Sequence, residues 1–173
     1  MSSPATLLPI LKTSPSEAAD PDLERDAEAL YDSVSELVRV YQSLDRDRIC
    51  CHDISIAQCN ALEGLSRKGG LTLGELAAHL YLDKSTTSRV VDALERKGYA
   101  DRSPHPTDGR AVLLVATERG RELYQSIRKG LLADEQTLLA GFDPEIRRAM
   151  PQLIARLARA VAARLGAGGA CCT

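Results

Sequence analysis

Aromatic residues are scarce in this chain: 173 residues hold no Trp, one Phe and five Tyr. The core must therefore be filled by Leu, Val, Ile and Ala. These recur at helical spacing, which predicts a mostly helical protein. An excess of charge of one sign is also lacking. The formal net charge of -2 excludes a uniformly basic coat for nucleic acid but permits a locally basic face, because binding depends on where the charges sit. No apolar run reaches membrane-spanning length. The apolar part of residues 1–22 is short, broken by Pro9 and preceded by no basic residue. It reads as a flexible leader rather than a secretory signal, with Leu7, Leu8, Ile10 and Leu11 available to a partner subunit. A cytoplasmic location is expected, where cysteines serve as thiols, metal ligands or redox groups rather than structural disulfides. Phosphate loops, metal-hydrolase spacings and nucleophile elbows are missing. Adjacency alone does not make Cys51 and His52 a catalytic pair, so no enzyme is expected.

What is present is a regular order of helices with polar starts. Ala27, Leu30, Tyr31, Val34, Leu37, Val38, Tyr41 and Leu44 form one stripe over about 23–44, and Asp45-Arg46-Asp47-Arg48 breaks the pattern. Ser55 with Gln58 predicts a capping box, with Ile54 and Cys59 as its staple and Gly69-Gly70 as the stop. Thr72 with Glu75 predicts a second box, stapled by Leu71 and Leu76. Asp83 caps a further helix to about Lys97, with Val90, Val91 and Leu94 inward and Gly98 as the stop. Tyr99–His105 and Arg110–Ala116 read as short strands joined by a turn at Pro106, Asp108 and Gly109. Thr117 caps a long helix. Asp143 and Pro144 open another, which Pro151 is expected to kink or delay. A flexible cysteine-bearing tail covers 166–173.

Two short helices, a third with a small polar leading face, and a charged hairpin suit a helix-turn-helix with a wing. The leading face consists of Lys84, Ser85, Thr86, Thr87, Ser88 and Arg89. Small hydroxyl residues allow close approach, and an arginine can fork onto a guanine. Ser66, Arg67, Lys68 and Thr72 are candidates for phosphate contacts. The hairpin offers Arg102, His105 and Arg110, and a basic residue near its tip suits the minor groove. Glu95, Arg96 and Lys97 read as solvated.

The segments LTLGELAAHLYLDKSTTSRVVDALERKGY, HPTDGRAVLLVA and TERGRELY resemble the MarR family of winged helix-turn-helix regulators. The likeness covers about 23–165 and is sharpest over 54–124. It implies a mainly α fold with a small β-hairpin wing, in a single domain over 23–165. The winged module lies at about 54–117 and the dimerisation helices at about 23–45 and 118–165. It further implies a homodimer on double-stranded DNA at a palindromic operator. The helix from Asp83 would enter the major groove and Arg110 the minor groove, with Asp108 holding Arg110. Pro151 and the cysteine pairs depart from the family pattern.

The five cysteines are Cys50, Cys51, Cys59, Cys171 and Cys172. Cys50, Cys51 and Cys59 could converge as three thiolates, with His52, Cys171 or Cys172 as a further ligand. Such a set suits arsenic(III), mercury, cadmium or copper(I), and zinc with a fourth ligand. Cys59 also fits a core position. The expected function is therefore a DNA-binding repressor released when a soft metal or metalloid binds. A thiol-redox sensor is the alternative, as is a repressor answering a small aromatic ligand near Tyr31, Tyr41 and His79. A non-DNA interaction protein or thiol enzyme is the rival of a different class.

Overall fold

Ser55, Thr72, Asp83 and Thr117 each cap the helix expected behind them. Both boxes close in full: Gln58 and Glu75 return a side-chain bond to the cap residue's own N–H. Each box satisfies amide donors that a helix start otherwise leaves unpaired.

The computed structural model describes residue 20 and residues 22–49, 52–105 and 111–167. Most of the leader, together with Cys50, Cys51, Asp108, Arg110, Cys171 and Cys172, lies outside the described residues. Within them the order is α1 (Leu23–Ile49), α2 (Ile56–Lys68), α3 (Leu73–Leu80), α4 (Lys84–Arg96), β1 (Ala100–Pro104), β2 (Val112–Ala116), α5 (Glu118–Ala140) and α6 (Pro144–Ala167). The fold is mainly α with a small antiparallel hairpin, the winged helix-turn-helix arrangement. No helix among the described residues is long and apolar enough to cross a membrane.

The chain divides into two units, residues 1–47 and 48–173. The first holds α1 up to its last two residues. Here the expectation of a break at residues 45–48 needs correction, because the helix runs on to Ile49. Loss of an apolar stripe marks a solvated face and not a helix end. Within the second unit, Arg48 pairs with Asp134 at 3.0 Å and Ile49 is buried in the core.

The core of the second unit joins α2, α3, α4, the hairpin and the start of α5. Leu62, Leu65, Leu76, Val91 and Leu94 are fully enclosed, and Leu71, Leu114, Tyr124 and Ile127 pack on the same cluster. β1 pairs with β2 from Ala100 opposite Ala116 to Pro104 opposite Val112. Leu71 adds a third, one-residue rung: Leu71 and Leu114 exchange backbone hydrogen bonds of 2.9 and 2.7 Å. The α2–α3 link is thereby stitched to the hairpin.

α5 leaves the hairpin through a tight joint. The Thr117 hydroxyl donates to the Gly98 carbonyl at 2.8 Å and accepts from the Gly120 N–H at 3.0 Å. A Cβ at Gly120 would lie 2.0 Å from the Tyr99 carbonyl oxygen. The Arg119 guanidinium stacks 4.9 Å from the Tyr99 ring centroid. The last helix starts at Pro144, so Pro151 does not delay it. Pro151 lacks an N–H, so the carbonyl of Arg147, four residues back, forgoes its helical bond.

Two glycines on the same helix should respond oppositely to alanine. Gly120→Ala drives a Cβ into backbone and should cost roughly 2 kcal/mol or more in thermal unfolding. Gly130 sits mid-helix in open space, so Gly130→Ala should stabilise by about 0.5–1 kcal/mol.

Candidate nucleic-acid interface

The N-terminus of α4 is set by a carboxylate. Asp83 Oδ1 accepts from the Thr86 N–H at 2.8 Å and Oδ2 accepts from the Thr86 hydroxyl at 2.7 Å. These bonds favour the charged carboxylate and hold the Asp83 pKa below its usual range, the Thr86 hydroxyl contributing most. Glu75 is lowered in the same way by Thr72, first through the backbone N–H and then through the hydroxyl.

From that start the side chains of α4 divide by helical phase. Lys84, Ser85 and Arg89 are exposed, and Thr86 and Ser88 are half-buried. Thr87 requires correction as a DNA contact. It is 0% exposed and its hydroxyl donates to the Asp83 carbonyl at 2.8 Å. It shares the inward stripe of Val91 and Leu94, where a hydroxyl is tolerated because it is bonded. The outward face is therefore Lys84, Ser85, Ser88 and Arg89, with Thr86 tied to the cap.

Arg102 also has a different employment from the one expected. Its Nη2 lies 2.6 Å from Asp92 Oδ1 and 3.2 Å from Glu95 Oε2. Both carboxylates belong to α4, so Arg102 clamps β1 to that helix. Glu95 is thus not merely solvated, and neither is Lys97. The Lys97 ammonium donates to the Asp53 carbonyl and pairs with its carboxylate at 3.5 Å. This fastens the segment before α2 to the end of α4. Asp53 itself is in the left-handed region, at φ 55°.

Among the phosphate candidates, Lys68 is exposed. Arg67 bonds to Glu63 at 3.0 Å, and the Thr72 hydroxyl is used by Glu75. Ser66 Oγ is buried, with no hydrogen-bond partner among the described residues. Cys59 is 5% exposed and lies in the core cluster. His52 is half-buried. Among the described residues no three of His, Cys, Asp and Glu gather as a metal site. His79 packs edge-on against Gly64, where a Cβ would come within 2.6 Å of its ring. The absence of a side chain at Gly64 there lets α3 approach α2 closely.

The turn into α4 holds a feature that the periodicity gave no reason to single out. Tyr81 closes α3 in the left-handed region at φ 53°, with 68% of its surface exposed. A residue with a Cβ pays on the order of 1 kcal/mol there.

The profile of the MarR family matches residues 52–111. An uncharacterised HTH-type transcriptional regulator of Mycobacterium bovis is 32% identical over 138 residues, spanning 78% of this chain and 96% of that protein. The multiple antibiotic resistance protein MarR of Escherichia coli K12 is 32% identical over 99 residues, 50% of this chain and 69% of that one. A MarR family protein from Bacillus stearothermophilus superimposes with a TM-score of 0.71 at 25% identity, covering 80% of this chain and 96% of that structure.

The lowered carboxylates set an acid dependence. A group whose folded pKa is depressed contributes stability above its unfolded pKa, and loses it as pH falls through the folded value. Wild-type thermal stability should decline as pH drops below the ordinary carboxylate range. Asp83→Asn keeps a good cap without the charge. The difference between wild type and this variant should shrink across that window. A pH-independent difference would refute the assignment.

Proposed function

The chain belongs to the MarR family of DNA-binding transcriptional regulators, and from that premise we propose that it is a homodimeric repressor reading a palindromic operator through α4. It is a sequence-specific DNA-binding regulator and not an enzyme. The observation that carries the placement is the outward face of α4, where Lys84, Ser85 and Arg89 stand exposed ahead of an Asp92 paired to Arg102. Lys84 supplies a point charge for phosphate, Ser85 and Ser88 supply small donors, and Arg89 supplies a fork for a guanine edge. Arg110, held by Asp108, is assigned to the minor groove on the family resemblance alone.

Dimerisation is supported by apolar surface that the chain leaves uncovered. Leu132 and Leu138 on α5, and Ile146, Leu153, Ile154, Val161 and Leu165 on α6, are all exposed. Along α6 these recur at helical spacing and form a stripe that a second copy would cover. The cytoplasm is the compartment where such a regulator meets its operator.

For relief of repression we propose that Cys50 and Cys51 bind a soft metal or metalloid ion, such as arsenic(III), mercury, cadmium, copper(I) or zinc. His52, Cys171 and Cys172 are the candidate further ligands. Cys59 is drawn out of that set by its burial. The support is thiol chemistry together with location. The pair directly precedes His52 and Asp53, and Lys97 fastens Asp53 to the end of α4. A change at the pair would be passed to the reading helix, and a dimer tolerates little change in half-site spacing. Oxidation of the same thiols, or a small aromatic ligand, are the other effector classes.

On a duplex selected by the wild-type chain, Arg89→Ala should lose about 1–3 kcal/mol of discrimination at one base position. Lys84→Ala should weaken binding evenly across sequences and flatten the salt dependence. Unchanged binding in both variants would remove α4 from the groove. Anaerobic titration of the complex with arsenite, mercury, cadmium, zinc and copper should release DNA near one equivalent of one ion. That release should be lost in the Cys50→Ser/Cys51→Ser variant. Release by peroxide alone would assign redox sensing, and silence to every ion and to peroxide would turn the search to organic ligands.

A further inference from the structure

Two helices of the reading module end in the same hydrogen-bond pattern with different residues at its critical position. At the end of α4, the Tyr99 N–H bonds the Leu94 carbonyl and the Gly98 N–H bonds the Glu95 carbonyl, both at 2.9 Å. At the end of α3, the Leu82 N–H bonds the Ala77 carbonyl at 3.0 Å and the Tyr81 N–H bonds the Ala78 carbonyl at 3.3 Å. Each pattern requires a left-handed residue, the position that glycine fills without strain. Gly98 occupies one at φ 72° and Tyr81 the other at φ 53°.

Burial does not repay the Tyr81 strain. The residue is largely exposed, and its hydroxyl meets no hydrogen-bond partner among the described residues. A strained, exposed aromatic with an unused polar tip points toward a ligand surface. The residues that follow define that surface. Asp83 turns its carboxylate onto Thr86, while Lys84 and Ser85 are exposed donors. A rim of donors suits a partner rich in acceptors, and the phosphate oxygens of a duplex provide one.

We propose that Tyr81 is a DNA-contacting residue, its phenol donating a hydrogen bond to a backbone phosphate beside the groove that α4 enters. The inference rests on the DNA-reading placement of α4. The phenol is a neutral donor on a stiff side chain with two torsions. It adds register and affinity without adding to counterion release.

The test uses the full chain and a duplex that the wild type selects from a random library. Kd is measured by fluorescence anisotropy at several salt concentrations, alongside thermal melting of the free protein. Tyr81→Gly should bind about tenfold more weakly, the loss of one ordinary net hydrogen bond per half-site. Its salt slope should be unchanged and its Tm equal or higher, because glycine relieves the left-handed strain. Tyr81→Phe should bind as weakly as the glycine variant. Retained affinity in Tyr81→Gly overturns the proposal, as does weakened binding that comes with a lower Tm. Full affinity in Tyr81→Phe overturns the phosphate bond. If the wild type selects no sequence at all, the reading of α4 itself fails, a result distinct from failure at Tyr81.

Discussion

Leu71 and Leu114 exchange two backbone hydrogen bonds, and the reading module depends on that exchange. Leu71 directly precedes the cap of α3, so the bonds fix where the helix-turn-helix begins relative to the hairpin. Gly70 makes the approach possible. It sits at φ 141°, and a Cβ there would come within 2.8 Å of Leu113. The hairpin strands are pinned on that side and clamped to α4 by Arg102 on the other. If α4 and the hairpin are presented together to a duplex, as proposed, the cost of aligning them is met during folding and not during binding.

The charges around α4 are sorted by task. Arg102 and Lys97 are spent on Asp92, Glu95 and Asp53, which leaves Lys84 and Arg89 facing outward. A chain with a net charge of -2 can hold an anionic duplex only if its acids are kept from the binding face. Asp83 folds back onto Thr86, and Asp92 and Glu95 share Arg102. The acids of α4 and its cap are thus bonded within the module and not left free on its outward face.

Capping and stop signals were legible in the sequence because their chemistry is local. Ser55 finds Gln58, and Thr72 finds Glu75, within one helical turn. The Gly98 stop and the hairpin are short-range in the same sense. The Leu71–Leu114 rung, the Lys97–Asp53 fastening and the Arg102 clamp join residues far apart in the chain, and no local pattern announces them. Thr87 is a different case. Its place four residues before Val91 and seven before Leu94 puts it on the inward stripe, so helical phase alone could have withdrawn it from the reading set. The end of α1 is not legible in the sequence because a charged run interrupts a stripe without interrupting a helix. Tyr81 carried a usable signal too: a large residue stood in a turn between two helices, where a glycine would be expected.

The uncovered stripe on α6 carries a consequence for dosage. If that surface is covered only by a second copy, the operator-competent species is formed by a second-order event. Below the dimer dissociation constant its abundance rises with the square of the monomer concentration. Halving expression would then cut the active population about fourfold. Such a circuit would switch sharply with gene copy number and with growth dilution, even if each protomer met its half-site in a simple, graded way.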